Sequence, residues 1–159
     1  MENEVLKPNI GGARKIARKL LKDAKISDIP VSLQMVLNYV KSQQDLDVLK
    51  YNFGDKVSGV LVSIGNKATI GFNPEHAWVR RRFTIAHELG HLYIGHTCNG
   101  WDINSNKEIE ANQFAAELLV PLMFIKKDFA KQRDLNELAK RYVVSKEALC
   151  LHLMECRVI

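Results

Sequence analysis

Arg82-Phe83-Thr84-Ile85-Ala86-His87-Glu88-Leu89-Gly90-His91-Leu92-Tyr93-Ile94 reads as a single helix carrying a His-Glu-x-x-His run. A helix turns about 100° per residue, so positions i and i+4 lie almost above one another. The imidazoles of His87 and His91 therefore face the same side and can chelate one cation. Glu88 is rotated about a quarter turn from that line, beside the cation rather than on it, where a general base for a water molecule belongs. The plain alternative is a surface helix that happens to hold two histidines. Against it stand the apolar character of the rest of the stretch and the mid-helix Gly90. A glycine there costs about 1 kcal/mol relative to alanine, which predicts that something packs closely against it.

Two histidines leave a catalytic zinc site short of its third protein ligand. A third histidine six residues past His91, with a glycine three residues past it, would fit one known zincin pattern. Those positions hold Thr97 and Ile94. Gly95 and His96 are one register off, and in a continuing helix His96 would lie about 140° from His91. His96 is therefore expected to be a helix-end residue. A second helix is predicted over Lys107–Val120, stopped by Pro121, and it offers Glu108, Glu110 and Glu117. Asn112, Ala115 and Leu119 fall within about 40° of Glu108, a stripe suited to packing on the metal helix. Glu110 and Glu117 fall near the opposite face, where water is the expected neighbour. Glu108 is thus the expected third ligand, and Asn112, one turn on, is placed to hydrogen-bond a ligating histidine.

Outward from this pair, residues 11–25 read as an amphipathic helix with Ile16, Ala17, Leu20 and Leu21 as its apolar stripe. Ile29-Pro30-Val31-Ser32 opens another, with Leu33, Val36, Leu37 and Val40 at core spacing. From Leu46 the period shortens. Leu46 to Lys50, Val57 to Ile64 and Lys67 to Phe72 are β-rich, with turns at Gly54-Asp55 and Gly65-Asn66. They predict a small, mostly antiparallel three-stranded sheet, ended by Asn73-Pro74. Residues 95–106 read as a loop. Two short helices are expected near Leu135–Tyr142 and Lys146–Glu155, with Ser145 as the N-cap of the second.

The chain of 159 residues is 47% hydrophobic and 26% charged, which suits one compact domain with a small appendage. Its net charge of +5 is mild and scattered, giving weak grounds for nucleic-acid binding. No stretch has the length and apolarity of a membrane span or a signal core, so a cytoplasmic location without membrane contact is expected. Cys98, Cys150 and Cys156 form no C-x-x-C pair and read as free thiols. Cys150, His152 and Cys156 lie close in sequence, but helical offsets point them to different faces, against a second metal site. A regulatory role for Cys98, close behind the metal helix, is conceivable from its position alone.

The run from Arg82 to His91, with Glu108-Ile109-Glu110-Ala111-Asn112-Gln113-Phe114-Ala115-Ala116-Glu117-Leu118-Leu119-Val120-Pro121, resembles the ImmA/IrrE family of metallopeptidases. Ile16 to Leu21, Pro30-Val31, Ser58 to Leu61 and Leu138 to Ser145 extend the likeness over most of the chain. The resemblance implies an α+β fold with a zincin-like helical core: the histidine helix, a following glutamate-bearing helix, the small sheet and short C-terminal helices. It divides the chain into a metallopeptidase domain, residues 1–133, and a C-terminal helical segment, residues 134–159, packed on it. It implies a Zn2+ endopeptidase with His87, His91 and Glu108 as ligands and Glu88 as base. Family members are encoded on chromosomes, phages and integrative elements, and relieve repression by cleaving a helix-turn-helix repressor. His152 departs from the pattern, standing where the family usually carries arginine.

The rival reading is a DNA- or protein-binding regulator with a structural or vestigial zinc site. Its support is the helix, Val143-Val144-Ser145 and second helix of the tail, which imitate a helix-turn-helix. The second of those helices is too apolar, and too poor in Arg, Asn and Gln, to read bases. An intact Glu88 also favours the enzyme, because a structural site needs no base.

Overall fold

The computed structural model of the chain describes residues 6–96 and 105–159. In order these form α1 (Ile10–Asp23), α2 (Leu33–Gln43), β1 (Asp45–Lys50), β2 (Gly59–Ile64), β3 (Lys67–Phe72), α3 (Trp78–Ile94), α4 (Ser105–Leu119), α5 (Leu122–Lys131), α6 (Leu135–Tyr142) and α7 (Lys146–Glu155). The architecture is α+β. Asn9 caps α1 by accepting from the Gly12 N–H, and Ser32 caps α2 by accepting from the Met35 N–H. The expected stripe of α2, Leu33, Val36, Leu37 and Val40, is buried. In α1 the deepest residues are Ala13, Ala17 and Leu20, while Ile16 is half-buried.

The sheet is mixed rather than mostly antiparallel. Its order is β1-β3-β2, with β3 antiparallel to β2 but parallel to β1. The β2–β3 hairpin turns at Gly65-Asn66 as expected. β1 and β2, however, are not neighbours, because β3 lies between them. Ala68 and Ile70 of β3, at i and i+2, lie on one face of the sheet and are buried, and the central place gives the strand a neighbour along each edge. β2 is left as a sheet edge.

The metal helix α3 is tied down by a buried arginine. Arg82 donates from Nε to the Val143 carbonyl at 3.2 Å and from a terminal nitrogen to the Val31 carbonyl at 3.1 Å. It thereby links α3 to the approach to α2 and to the tail. Gly90 meets α4 as its mid-helix position predicts. A Cβ built there would lie 3.0 Å from Phe114 Cδ1 and 3.1 Å from the Ala111 carbonyl oxygen.

α4 lies in the middle of the helical layer, against α1, α3 and α7. Ala111, Phe114, Ala115, Leu118 and Leu119 are all fully buried, so the helix has apolar neighbours on several sides. This corrects the expectation that Glu110 and Glu117 face water. The side chain of Glu117 is 1% exposed and that of Glu110 is 16% exposed. α5 was not anticipated. Pro121 ends α4 but also stands at the N-cap of α5 with φ −58°, a place where proline's fixed φ suits a new helix. In the tail, Leu138, Leu149 and Leu153 are buried, Val143 is half-buried, and the Tyr142 hydroxyl donates to Asp128 at 2.7 Å.

Candidate metal centre

His87 and His91 project their Nε2 atoms toward one point, 3.0 Å apart. Glu108, from the first turn of α4, brings Oε2 to 3.2 Å from His87 Nε2 and Oε1 to 3.1 Å from His91 Nε2. The three ligand atoms lie within 4.8 Å of one another, the geometry of a site that could hold a metal ion. Among the described residues it is the sole cluster of this kind. The Nδ1 atoms of both rings are engaged away from that point. His87 Nδ1 lies 2.8 Å from Asn112 Oδ1, and His91 Nδ1 lies 2.9 Å from His96 Nδ1. An amide oxygen only accepts, so His87 carries a hydrogen on Nδ1, and its neutral form, the one a metal requires, turns a bare Nε2 to the site. Two imidazole lone pairs and a carboxylate form a donor set that fits zinc and leaves a fourth position open.

The electrostatics are those of a partly dry cleft. Burial, with the His87 charge nearby, pulls His91 down to about 4, so its ring is neutral at pH 7. Burial also disfavours the His87 imidazolium, but the hydrogen bond to Glu108 and the charges of Glu88 and Glu108 outweigh it and raise its pKa. Hydrogen bonding to His87 holds Glu108 below the usual carboxylate range. Glu88 is 8% exposed, and burial pushes it up to about 7. Such a carboxyl can both take and return a proton near neutrality.

These groups open into a cleft of about 900 Å³. Its walls include Ser58 to Leu61 from the start of the β2 edge, Val79, Phe83 and Thr84 from α3, and Ala148 from α7. Gly59 faces Thr84 and Glu88 so closely that a Cβ there would run into the Thr84 methyl. Only glycine lets the edge strand approach the base this nearly. Tyr93, His76 and His96, whose side chains have donors that a developing oxyanion could use, do not line the cleft.

His96 is a helix-end residue outside the ligand cluster, as expected, but it lies closer to His91 than a continuing helix would put it. α3 ends at Gly95 with φ 81°, and the His96 N–H returns to the His91 carbonyl at 2.9 Å. This left-handed cap reverses the chain, so the angle drawn from a continuing helix does not apply. His96 lies beside His91, and its Nε2 reaches Glu110 Oε2 at 2.8 Å. The glycine was the available signal.

Cys150 and Cys156 are free, and Cys156 Sγ lies 3.7 Å from His152 Nδ1 with no third ligand gathered there. Cys98 lies outside the described residues.

Residues 42–154 match a peptidase family described as the IrrE N-terminal-like domain. The chain belongs to that family. The assignment makes the His-His-Glu cluster part of a metallopeptidase-type domain. No curated protein matches this IrrE N-terminal-like chain in sequence. In three dimensions it is similar to a Mycobacterium tuberculosis transcriptional regulator, with a TM-score of 0.70 and 17% identity. The alignment covers 90% of this chain and 46% of that one. The chain thus spans less than half of that protein, and the likeness concerns the fold.

Among the described residues no helix is long and apolar enough to cross a membrane. The exposed side chains of α7 are Lys146, Glu147, Leu151, Met154 and Glu155, two apolar and two acidic among five, which makes it a poor reader of a DNA groove.

Proposed function

We propose that this protein is a zinc endopeptidase that cuts a protein substrate in an extended segment. The observation that carries the reading is the convergence of His87 Nε2, His91 Nε2 and Glu108 beside a buried Glu88, at a cleft walled by a sheet edge. Zinc bound there would supply Lewis acidity, acidifying water and polarising the scissile carbonyl. Glu88 takes the proton of the attacking water on its carboxylate and delivers it to the leaving amine. In the metal-free cleft burial raises its pKa to about 7, which marks it as a carboxyl able to hold a proton near neutrality. Asn112 holds His87 in the tautomer that exposes Nε2. The free edge of β2 offers backbone N–H and C=O groups to an extended chain, with Gly59, Val60 and Leu61 in the cleft wall. Phe83, Val79 and Ala148 offer apolar surface to substrate side chains.

The substrate class follows from the family resemblance: a helix-turn-helix repressor, whose cleavage relieves repression in the cytoplasm. Residues 1–133 would form the catalytic domain, and 134–159 the segment that closes one side of the cleft through Ser145, Glu147 and Ala148. A structural or vestigial metal would leave a buried carboxyl without purpose at the cleft.

The test is incubation of the zinc-loaded protein with the repressor encoded beside its gene, followed by mass spectrometry. A discrete cut made by the wild type and absent with Glu88→Gln is expected. Intact repressor, together with no stoichiometric zinc after zinc-supplemented expression, would overturn the reading. Glu108→Ala should strip the metal, since two histidines cannot close the site.

A further inference from the structure

Among the described residues His91 has no oxygen as hydrogen-bond partner of its Nδ1. Its neighbour there is another imidazole nitrogen, His96 Nδ1 at 2.9 Å, and one of the two must donate. The choice is made further out. Glu110 places Oε2 at 2.8 Å from His96 Nε2 and Oε1 at 2.7 Å from the Asn9 backbone N–H. A carboxylate only accepts, so His96 must carry its hydrogen on Nε2. A neutral imidazole has one N–H, which leaves His96 Nδ1 as a lone pair. His91 then donates from Nδ1, and its Nε2 is left bare toward His87 and Glu108. The His96 and Glu110 side chains are only 7% and 16% exposed, so water competes weakly for these bonds.

We propose that Glu110 and His96 are positioning residues. They form a two-step hydrogen-bond relay, running from the N-terminus of α1 to His91, that fixes the tautomer and ring orientation of this ligand. The proposal rests on the reading of His91 as a metal ligand and deepens it. Asn112 does the same for His87 in one step. The two ligands are thus held independently, one from within α4 and one through α4 from α1. Glu110 suits the task because both of its partners are donors. An amide in its place can accept from one of them only, and must turn its own N–H2 toward the other. Turned toward His96, it would invert that ring and set two N–H groups face to face at His91.

The relay makes a prediction that simple packing does not. Asparagine at 96 keeps an acceptor on the γ-branch, near the place of the imidazole Nδ1, but loses the link to Glu110. Zinc affinity is measured by competition with a chromophoric chelator. Glu110→Gln should weaken it by about 10–100-fold, as should His96→Ala. His96→Asn should stay within a few-fold of wild type, and adding Glu110→Gln to His96→Asn should cost nothing more. A second readout needs no metal and no variant. In the 15N spectrum of the metal-free wild type, His91 should be protonated on Nδ1 and His96 on Nε2. The proposal is overturned if the Glu110→Gln loss persists undiminished in the His96→Asn background, or if metal-free His91 carries its hydrogen on Nε2. His91→Ala separates the two levels. If it binds zinc as tightly as wild type, the ligand reading itself fails. If it loses zinc while Glu110→Gln keeps wild-type affinity, only the relay fails.

Discussion

Replacing Gly90 by alanine would set a methyl group 3.0 Å from Phe114 Cδ1, 3.1 Å from the Ala111 carbonyl oxygen and 3.2 Å from Ala111 Cα. Phe114 is fully buried, and the other two atoms are backbone of α4, so none yields easily. The two helices must instead part by a few tenths of an ångström. Overpacking of this kind costs about 1–3 kcal/mol, while alanine returns about 1 kcal/mol of helix propensity. The net loss is up to about 2 kcal/mol, or roughly 4–8 °C of melting temperature in a chain of this size. The parting also falls inside the metal centre, since Gly90 adjoins His91 and Ala111 lies one turn from Glu108. Zinc affinity should drop on the order of tenfold, within the range seen when a ligand's support is disturbed. Thermal melts of metal-free and zinc-loaded protein, with chelator competition, measure both effects. An alanine variant that melts at or above the wild-type temperature and keeps wild-type zinc affinity would refute the claim that α3–α4 contact sets the ligand spacing.

Zinc must displace the proton of its ligand His87, whose pKa is raised, and its charge disfavours the proton that metal-free Glu88, at about 7, holds at pH 6. Affinity should therefore tighten as pH rises from 6 to 8. Glu88→Gln should bind with a flatter pH dependence and lose about 10²–10⁴-fold in cleavage, and a variant that still cuts would remove Glu88 from the base role. Burial raises the pKa of Glu117, so its contribution to stability is full below the unfolded glutamate value and is lost as pH rises. Glu117→Gln keeps the acceptor for the Leu122 N–H and stays neutral, so its melting temperature relative to wild type should climb between pH 5 and 8. A difference that shrinks over that interval would contradict this assignment. Leu149→Ala, at a fully buried site in α7, should cost about 2–5 kcal/mol in denaturant unfolding, and a cost below 1 kcal/mol would show that α7 is only loosely attached.

Local spacing was informative wherever the answer lay on one helix. The common face of His87 and His91 follows from the four-residue interval, and the phase of α4 brings Glu108 and Asn112 to that face. What a helical wheel cannot say is how many of its faces are covered. Glu110 and Glu117 lie away from Glu108 as the wheel predicts, yet α1 and α7 stand where water was expected. The contact of His96 with His91 was not legible because a reversal at one glycine cancels the helical angle, and α5 was not because Pro121 serves as a start as well as a stop. The order β1-β3-β2 depends on pairing between distant segments, on which the alternation within each strand is silent.

The proposed ligands of the centre sit on two helices, two on α3 and one on α4, with the segment from His91 to Glu108 between them. A cation gripping all three would therefore clasp the folded helix pair and stabilise it through its own binding free energy, because the unfolded chain has no such site to hold it. Free zinc at a hundred times its dissociation constant would add about 2.7 kcal/mol, a sizeable part of a typical domain's stability. The helix pair would then be clamped by the same ion that serves the chemistry. Zinc scarcity would lower the amount of folded protein as well as its activity, and a melting temperature indifferent to free zinc would show that no such clamp exists.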